Sequence, residues 1–391
     1  VTHIEVATGE TVGTDDAKDQ SRHETWCQPL IARRAPGKLF IAGEYAVLEP
    51  GCPAILIAVD RYATVTVAES SGATTVNSDL DGGIRIECAR TRNGLIAVND
   101  DFTKRYEYLL AAATVVERLV RERGGRPRPF TLNAVSEDLT DRCGHKLGLG
   151  SSAAITAATV AAMGAFYRLQ LTLADRYRLA MLATLTVNPH ASGGDVAAST
   201  WGGWITYRSP DRLSALAVRD GVTTALREPW PGLSVRNLAS PRRVQLLVGW
   251  TGKPATTSLM TSRISNRRKK SSKYRAFLAD SSACVEGLAA AIQADDVSAV
   301  QNQIRWARKI LDDFDAANGL GIRTGKLDSL CNAADVAGAA AKISGAGGGD
   351  CGIAVVDRDR PEQAAEATRR WLAKGIQPVP LQICPSQGDA P

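Results

Sequence analysis

Residues Lys146–Ala154 read KLGLGSSAA and run into an apolar segment with helical spacing. Glycines let a backbone approach a ligand closely, and a helix start presents unpaired N–H groups and the positive end of a dipole. Ser151 and Ser152 add hydroxyls that can reach phosphate oxygens or a metal ion. The segment reads as a phosphate cradle opening a helix, with Gly148, Leu149, Gly150, Ser151, Ser152 and Ala153 as its contacts. Small residues also occur where a helix sits tightly on a sheet, so the loop alone leaves both readings open. It is not a Walker A loop. Lys38, Lys253 and Lys326 each follow a glycine, but none precedes Ser or Thr.

On the N-terminal side of this loop the chain has strand character in KLFIAGEYAVL (38–48), PAILIAV (53–59), RYATVTVAES (61–70) and IRIEC (84–88), with turns at Pro50-Gly51 and Ser71-Gly72. Residues 105–123 carry apolar residues at helical spacing, ended by Gly124-Gly125, and FTLNAV (130–135) is a further strand. On the C-terminal side, the loop's helix runs to about Tyr167. A second helix spans about 173–187, and GGWITYR (202–208) returns as a strand. VQLLVGWTG (244–252) begins a second domain, with helices at about 273–294 and 296–313. A strand at 353–357 and a capped helix over 361–375 follow. This mixture predicts an α+β fold rather than a doubly wound parallel sheet.

Bulk properties narrow the function. The chain has 391 residues, enough for two domains. Its net charge of +6 comes from interleaved acidic and basic residues, which argues against a nucleic-acid partner. Eight cysteines include no C-x-x-C pair, and four histidines show no paired spacing. That argues against zinc and for reduced thiols. Residues 1–25 are polar and read as a disordered extension. Asp15, Asp16, Lys18 and Asp19 lie where a signal peptide needs an apolar core. No apolar run is long enough to span a membrane. A soluble cytoplasmic protein with a small-molecule substrate is expected.

Two more segments bear on the loop: APGKLFIAGEYAVLEPG (35–51) and KISGAGGGDCGIAV (342–355). Gly347, Gly349 and Gly352 fit G-x-G-x-x-G, but a β-branched strand follows where a dinucleotide fingerprint needs a helix. The local reading is a tight glycine turn between a helix and a strand. In this order the three segments resemble those of the GHMP kinases. The resemblance implies two domains, a ribosomal protein S5 domain 2-like one over 26–215 and a ferredoxin-like one over 216–388. It implies that ATP and Mg²⁺ are used, with the hydroxyl of Ser152 on the metal. The third motif, through Ser344, Gly345, Gly347 and Gly348, would fold over the phosphate loop, with Gly347 also reaching the acceptor.

The same resemblance places Lys38 beside the transferred phosphoryl group and Asp195 opposite the acceptor oxygen. Taken alone, a lysine at a strand end is solvated and an aspartate after glycine is a helix cap. Glu44 and Tyr45 would orient the acceptor, with a strand-end carboxylate and a core tyrosine as the alternatives. Three details resemble the phosphomevalonate kinase branch: the Lys146-Leu147 lead-in, GDVAASTWGGWITYRSPDR (194–212) and VGWTGKPATTS (248–258). The acceptor would then be (R)-5-phosphomevalonate. Its phosphate is mostly dianionic near neutral pH, with a second pKa of about 6, so it needs little help from a base. Asp195 would instead position Lys38 or the hydroxyl end of the substrate. The segment NPHASGGD (188–195) departs from the family pattern and puts His190 near the acceptor. Lys146, Arg212 and Lys253 are candidate anion contacts, with plain solvation as the alternative. The basic run at 263–273 reads as a solvated loop or a mobile lid. Mevalonate kinase, diphosphomevalonate decarboxylase and a non-catalytic nucleotide sensor are the alternative functions. The protein is expected as a monomer or homodimer.

Overall fold

The computed structural model describes residues 30–79, 83–99, 104, 106–141, 143–212, 221–254 and 271–387. The extension at 1–25 and most of the basic run at 263–273 lie outside the described residues.

Two long strands form the frame. β1 (Ile31–Ala42) pairs antiparallel with β2 (Pro53–Glu69), which is a single 17-residue strand. PAILIAV and RYATVTVAES are therefore one element. The polar pair Asp60-Arg61 between them is absorbed by a register shift opposite Pro36-Gly37 rather than by a turn. The end of KLFIAGEYAVL leaves the strand at Ala42 and coils into a short 3-10 turn at Ala46–Leu48. The sheet is completed by β3 (Thr74–Ser78), β4 (Arg85–Thr91), β5 (Gly94–Ala97), β6 (Phe130–Val135), β7 (Trp204–Arg208) and β8 (Ser234–Leu238). The order is β5-β4-β3-β6-β2-β7-β8, with β1 against β2, and among the described residues only the β3–β6 pairing in this sheet is parallel.

Among the described residues, α1 (Glu107–Glu122), α2 (Ser151–Phe166), α3 (Leu173–Val187) and α4 (Gly194–Trp201) accompany this sheet. α2 is apolar on all sides and lies between the sheet and its neighbouring helices, with Ala154, Ala158 and Val160 fully buried. α3 starts at a reciprocal capping box between Thr172 and Asp175. A short helix, α5 (Val222–Arg227), precedes β8.

The second sheet holds β9 (Val244–Trp250), β10 (Ala340–Ile343), β11 (Cys351–Asp357) and β12 (Gln377–Pro378), all antiparallel, in the order β10-β11-β9-β12. Its helices are α6 (Ser272–Gln293), α7 (Val297–Asn318), α8 (Gly325–Val336) and α9 (Pro361–Ala373). This is a ferredoxin-like arrangement with extra helices in the first crossover.

Two expectations are corrected. The first sheet continues through β8, so the change of sheet falls between Leu238 and Val244 rather than at 215/216. The glycine turn of the third motif joins two strands, β10 and β11, not a helix and a strand, because AAKI is too short for its own period to show. After β12 the chain crosses back to the first sheet. Ile383 bridges Val59, Cys384 N–H donates to Ala58 O (2.9 Å), and Gly203 N–H donates to Cys384 O (2.9 Å). Among the described residues no helix is long and apolar enough to cross a membrane.

Candidate active site

The phosphate loop begins with two glycines in the left-handed region, Gly148 (φ 78°) and Gly150 (φ 79°). A side chain at Gly150 would meet Lys38 Cε at 2.8 Å, and one at Gly148 would meet Asp350 Cγ at 2.5 Å. The loop can approach both residues only because the two positions lack a Cβ. Gly150 caps α2 with no side-chain hydrogen bond, and the first backbone bond of the helix is Ala154 N–H to Gly150 O. Among the described residues the amides of Ser151, Ser152 and Ala153 therefore have no protein acceptor. A helix start with open amides is an anion site.

This loop forms one wall of a cleft of about 530 Å³. The cleft brings together Lys38, Glu44, Tyr45, Lys146, Gly148 through Ala153, His190, Asp195, Ser344 and Gly345. Segments associated with both sheets thus line one cleft. Lys38 is nearly buried on β1. Its backbone N–H donates to Leu149 O (2.8 Å), and its Nζ donates to Gly148 O (3.3 Å). Among the described residues no carboxylate lies within ion-pair reach of Lys38, so Asp195 does not position it here. Asp195 sits in the first turn of α4, where its Oδ1 accepts from Val196 N–H at 2.9 Å.

The sequence-predicted roles of five residues change. Glu44 is buried and ion-paired with Lys342, which is wholly buried on β10. Tyr45 donates from its hydroxyl to Ala346 O and lies against Phe314 with ring centroids 5.6 Å apart. Both residues line the cleft, and Glu44 Oε1 and the Tyr45 hydroxyl also hold the third motif in place. Ser344 does the same, its hydroxyl accepting from Phe40 N–H (3.1 Å) and donating to Phe40 O (2.9 Å). Gly347 and Gly348 are not among the residues lining the cleft. Gly348 N–H donates to Ile322 O (2.9 Å), and a Cβ on Gly347 would lie 2.4 Å from that same oxygen. These two glycines turn towards the segment before α8 instead of facing ligand.

Arg212 is also a strut, donating to Leu48 O (2.7 Å) and Ala191 O (3.4 Å). Neither Arg212 nor Lys253 lines the cleft, whereas Lys146 and His190 do. Sequence reading missed Glu107, Tyr108 and Asp350, which all line it. Burial, then the charges of Asp195 and Glu107, push the Tyr108 phenol up to about 12, so it stays a neutral donor at physiological pH. Glu107 and Tyr108 carry no motif. Asp350 stood inside GGGDCG, and its positive φ of 52° is the kind of non-glycine strain that marks functional turns.

The residues fit magnesium. The Ser152 hydroxyl has no protein partner among the described residues, and the carboxylates of Glu107, Asp195 and Asp350 line the same cleft. Hard oxygen donors of this kind, few in number, suit an ion that keeps several waters.

Residues 107–203 match the GHMP kinases N terminal domain, and residues 288–374 match the GHMP kinases C terminal domain. A phosphomevalonate kinase of Streptomyces sp. (strain CL190) is 45% identical, over 90% of this chain and 97% of its own length. A mevalonate kinase of Thermococcus gammatolerans is 28% identical, over 90% and 96% respectively. Among solved structures, Streptococcus pneumoniae phosphomevalonate kinase in complex with phosphomevalonate and AMPPNP superposes with a TM-score of 0.77 at 28% identity. The match covers 90% of this chain and 99% of that one.

Proposed function

The chain belongs to the GHMP kinase family, and we propose that it transfers the γ-phosphoryl group of ATP to the phosphate of (R)-5-phosphomevalonate, giving the 5-diphosphate. The observation that carries this reading is one cleft holding an open helix start, Lys38 and Asp195 together, in a chain so similar to a phosphomevalonate kinase. A nucleotide sensor needs the helix start but neither of the two charged side chains.

The chemistry follows from placement. The amides of Ser151, Ser152 and Ala153 receive the nucleotide phosphates. An oxygen of the acceptor phosphate attacks the γ-phosphorus while the bond to the ADP oxygen breaks. Lys38 supplies positive charge to the equatorial oxygens as that charge redistributes. Its stem lies along Gly150 and its Nζ on Gly148 O, so it is preorganised from the loop side. Ser152, with the carboxylates facing the cleft, would hold Mg²⁺, which would supply positive charge against that of the phosphates. Asp195 addresses the hydroxyl end of the acceptor, and Lys146 and His190 supply cationic and donor groups at the cleft wall.

A coupled ADP-release assay with ATP and Mg²⁺ tests this, comparing 5-phosphomevalonate with mevalonate. Turnover of the phosphorylated acceptor alone is expected. Turnover of mevalonate alone would move the enzyme to the mevalonate kinase branch, and turnover of neither would sink both readings.

A further inference from the structure

The lead-in to the phosphate loop closes on itself. Thr140 and Lys146 form an isolated antiparallel bridge, and Leu147 N–H donates to Leu139 O at 3.1 Å. Inside this closure Asp141 Oδ1 accepts from the backbone N–H of both Cys143 and His145, each at 2.8 Å. The turn gathers three side chains. One carboxylate oxygen of Asp141, the Cys143 thiol sulfur and one ring nitrogen of His145 all lie within 4.8 Å of one another. Paired cysteines or histidines at zinc spacing are absent, but D-x-C-x-H supplies a carboxylate as the third donor.

We propose that Asp141, Cys143 and His145 bind one zinc ion, with water in the fourth position. Zinc takes thiolate, imidazole and carboxylate donors in a tetrahedron with bonds of about 2.0–2.3 Å, which places nitrogen and oxygen ligands about 3.3 Å apart. His145 Nδ1 and Asp141 Oδ2 are already 3.1 Å apart. Without metal a proton holds that pair together, and the ion takes its place. Cys143 and His145 are exposed, so the sulfur can swing in by side-chain rotation without unpacking a core. Among the described cysteines Cys143 is the one exposed thiol. Desolvation works against ionisation of Asp141, but hydrogen bonds from the His145 and Cys143 backbone and the His145 ring outweigh it. They hold the carboxyl below its ordinary value, ready as an anionic ligand.

The donor set separates this site from the magnesium site. A thiolate and an imidazole select a borderline-soft ion, whereas the cleft offers oxygens alone. Binding converts Cys143 to thiolate and shifts the His145 ring proton from Nδ1 to Nε2, so one proton leaves as the ion enters. The site abuts the cleft: the next residue, Lys146, lines it, and the His145 ring stacks on Trp250 of β9 at 6.5 Å. An ion here would tie the lead-in of the phosphate loop to a fixed geometry.

The test does not depend on the kinase reading. Metal-free protein is titrated with Co²⁺ and followed by absorption. The expected result is one equivalent bound, with tetrahedral d–d bands and a near-ultraviolet thiolate-to-cobalt band, displaced by Zn²⁺ but not by excess Mg²⁺. Cys143→Ser should abolish the near-ultraviolet band. His145→Ala should weaken Zn²⁺ binding at least about tenfold in competition with a chromophoric chelator. Zn²⁺ should raise the melting temperature of the parent protein and not that of Cys143→Ser, whose metal-free melting should match the parent. Absence of the near-ultraviolet band, or its persistence in Cys143→Ser, overturns the proposal.

Discussion

Lys38 and Asp195 face one cleft, yet each is held by its own neighbourhood: Lys38 by the phosphate loop, Asp195 by the first turn of α4. Their substitutions should therefore fail differently. Lys38→Met removes charge from the transferring group and leaves the open helix start intact. Its kcat should fall about 10²–10³-fold, the magnitude typical of losing one donor aimed at developing charge. Binding of a non-hydrolysable ATP analogue, measured by calorimetry, should be retained. Asp195→Asn should lower kcat/KM for phosphomevalonate while the acid limb of its pH profile stays near 6, where the acceptor phosphate titrates. A profile that instead loses a single ionisation would make Asp195 a base. Lys38 and Asp195 stood out only through the family resemblance of the segments around them, since alone they read as a solvated lysine and a helix cap. Glu44 was legible as a residue but not in its role, since its partner Lys342 lies 298 positions away.

At the scale of elements, local chemistry carried most of the reading. The bounds of α3 follow from Thr172 and Asp175 at one end and Pro189 beyond the other. β6 is a pure run of FTLNAV. What escaped were pieces too short for a period, such as β10, and α8, whose residues GKLDSLCNAADV mix small and polar side chains. Loop and helix meet at Gly150, whose φ of 79° an L-residue reaches only at a cost of about 1–2 kcal/mol. Gly150→Ala should lower stability by about that much in urea unfolding. Activity should fall further than stability, because the added methyl group displaces Lys38 Cε, 2.8 Å away.

Across the whole molecule, the buried Lys342–Glu44 pair joins the two sheets behind the cleft. Removing one partner strands a charge in the interior. Lys342→Met should cost about 3–5 kcal/mol in urea unfolding, and adding Glu44→Gln should recover much of it. Burial also raises five described thiols above their ordinary value of 9.0: Cys52, Cys88 to about 11, Cys284 and Cys331 to about 12, and Cys351 further still. The folded state holds these protons more tightly than the unfolded chain does. The stability they confer is intact below pH 9 and drains away as pH climbs from 9 towards 12. Thermal melting followed from pH 7 to 11 should be level up to about 9 and decline beyond it.

The return of the chain to the first sheet has a consequence in time. Synthesis proceeds from the N-terminus, and early segments ordinarily fold while later ones are still being made. Here Ala58 O and Gly203 N–H find their partner only when Cys384 arrives, and Trp201 O waits for Gln387 N–H. A nascent chain can build its first sheet on the ribosome, but it must carry that seam open to solvent until residues 383–387 have emerged from the exit tunnel.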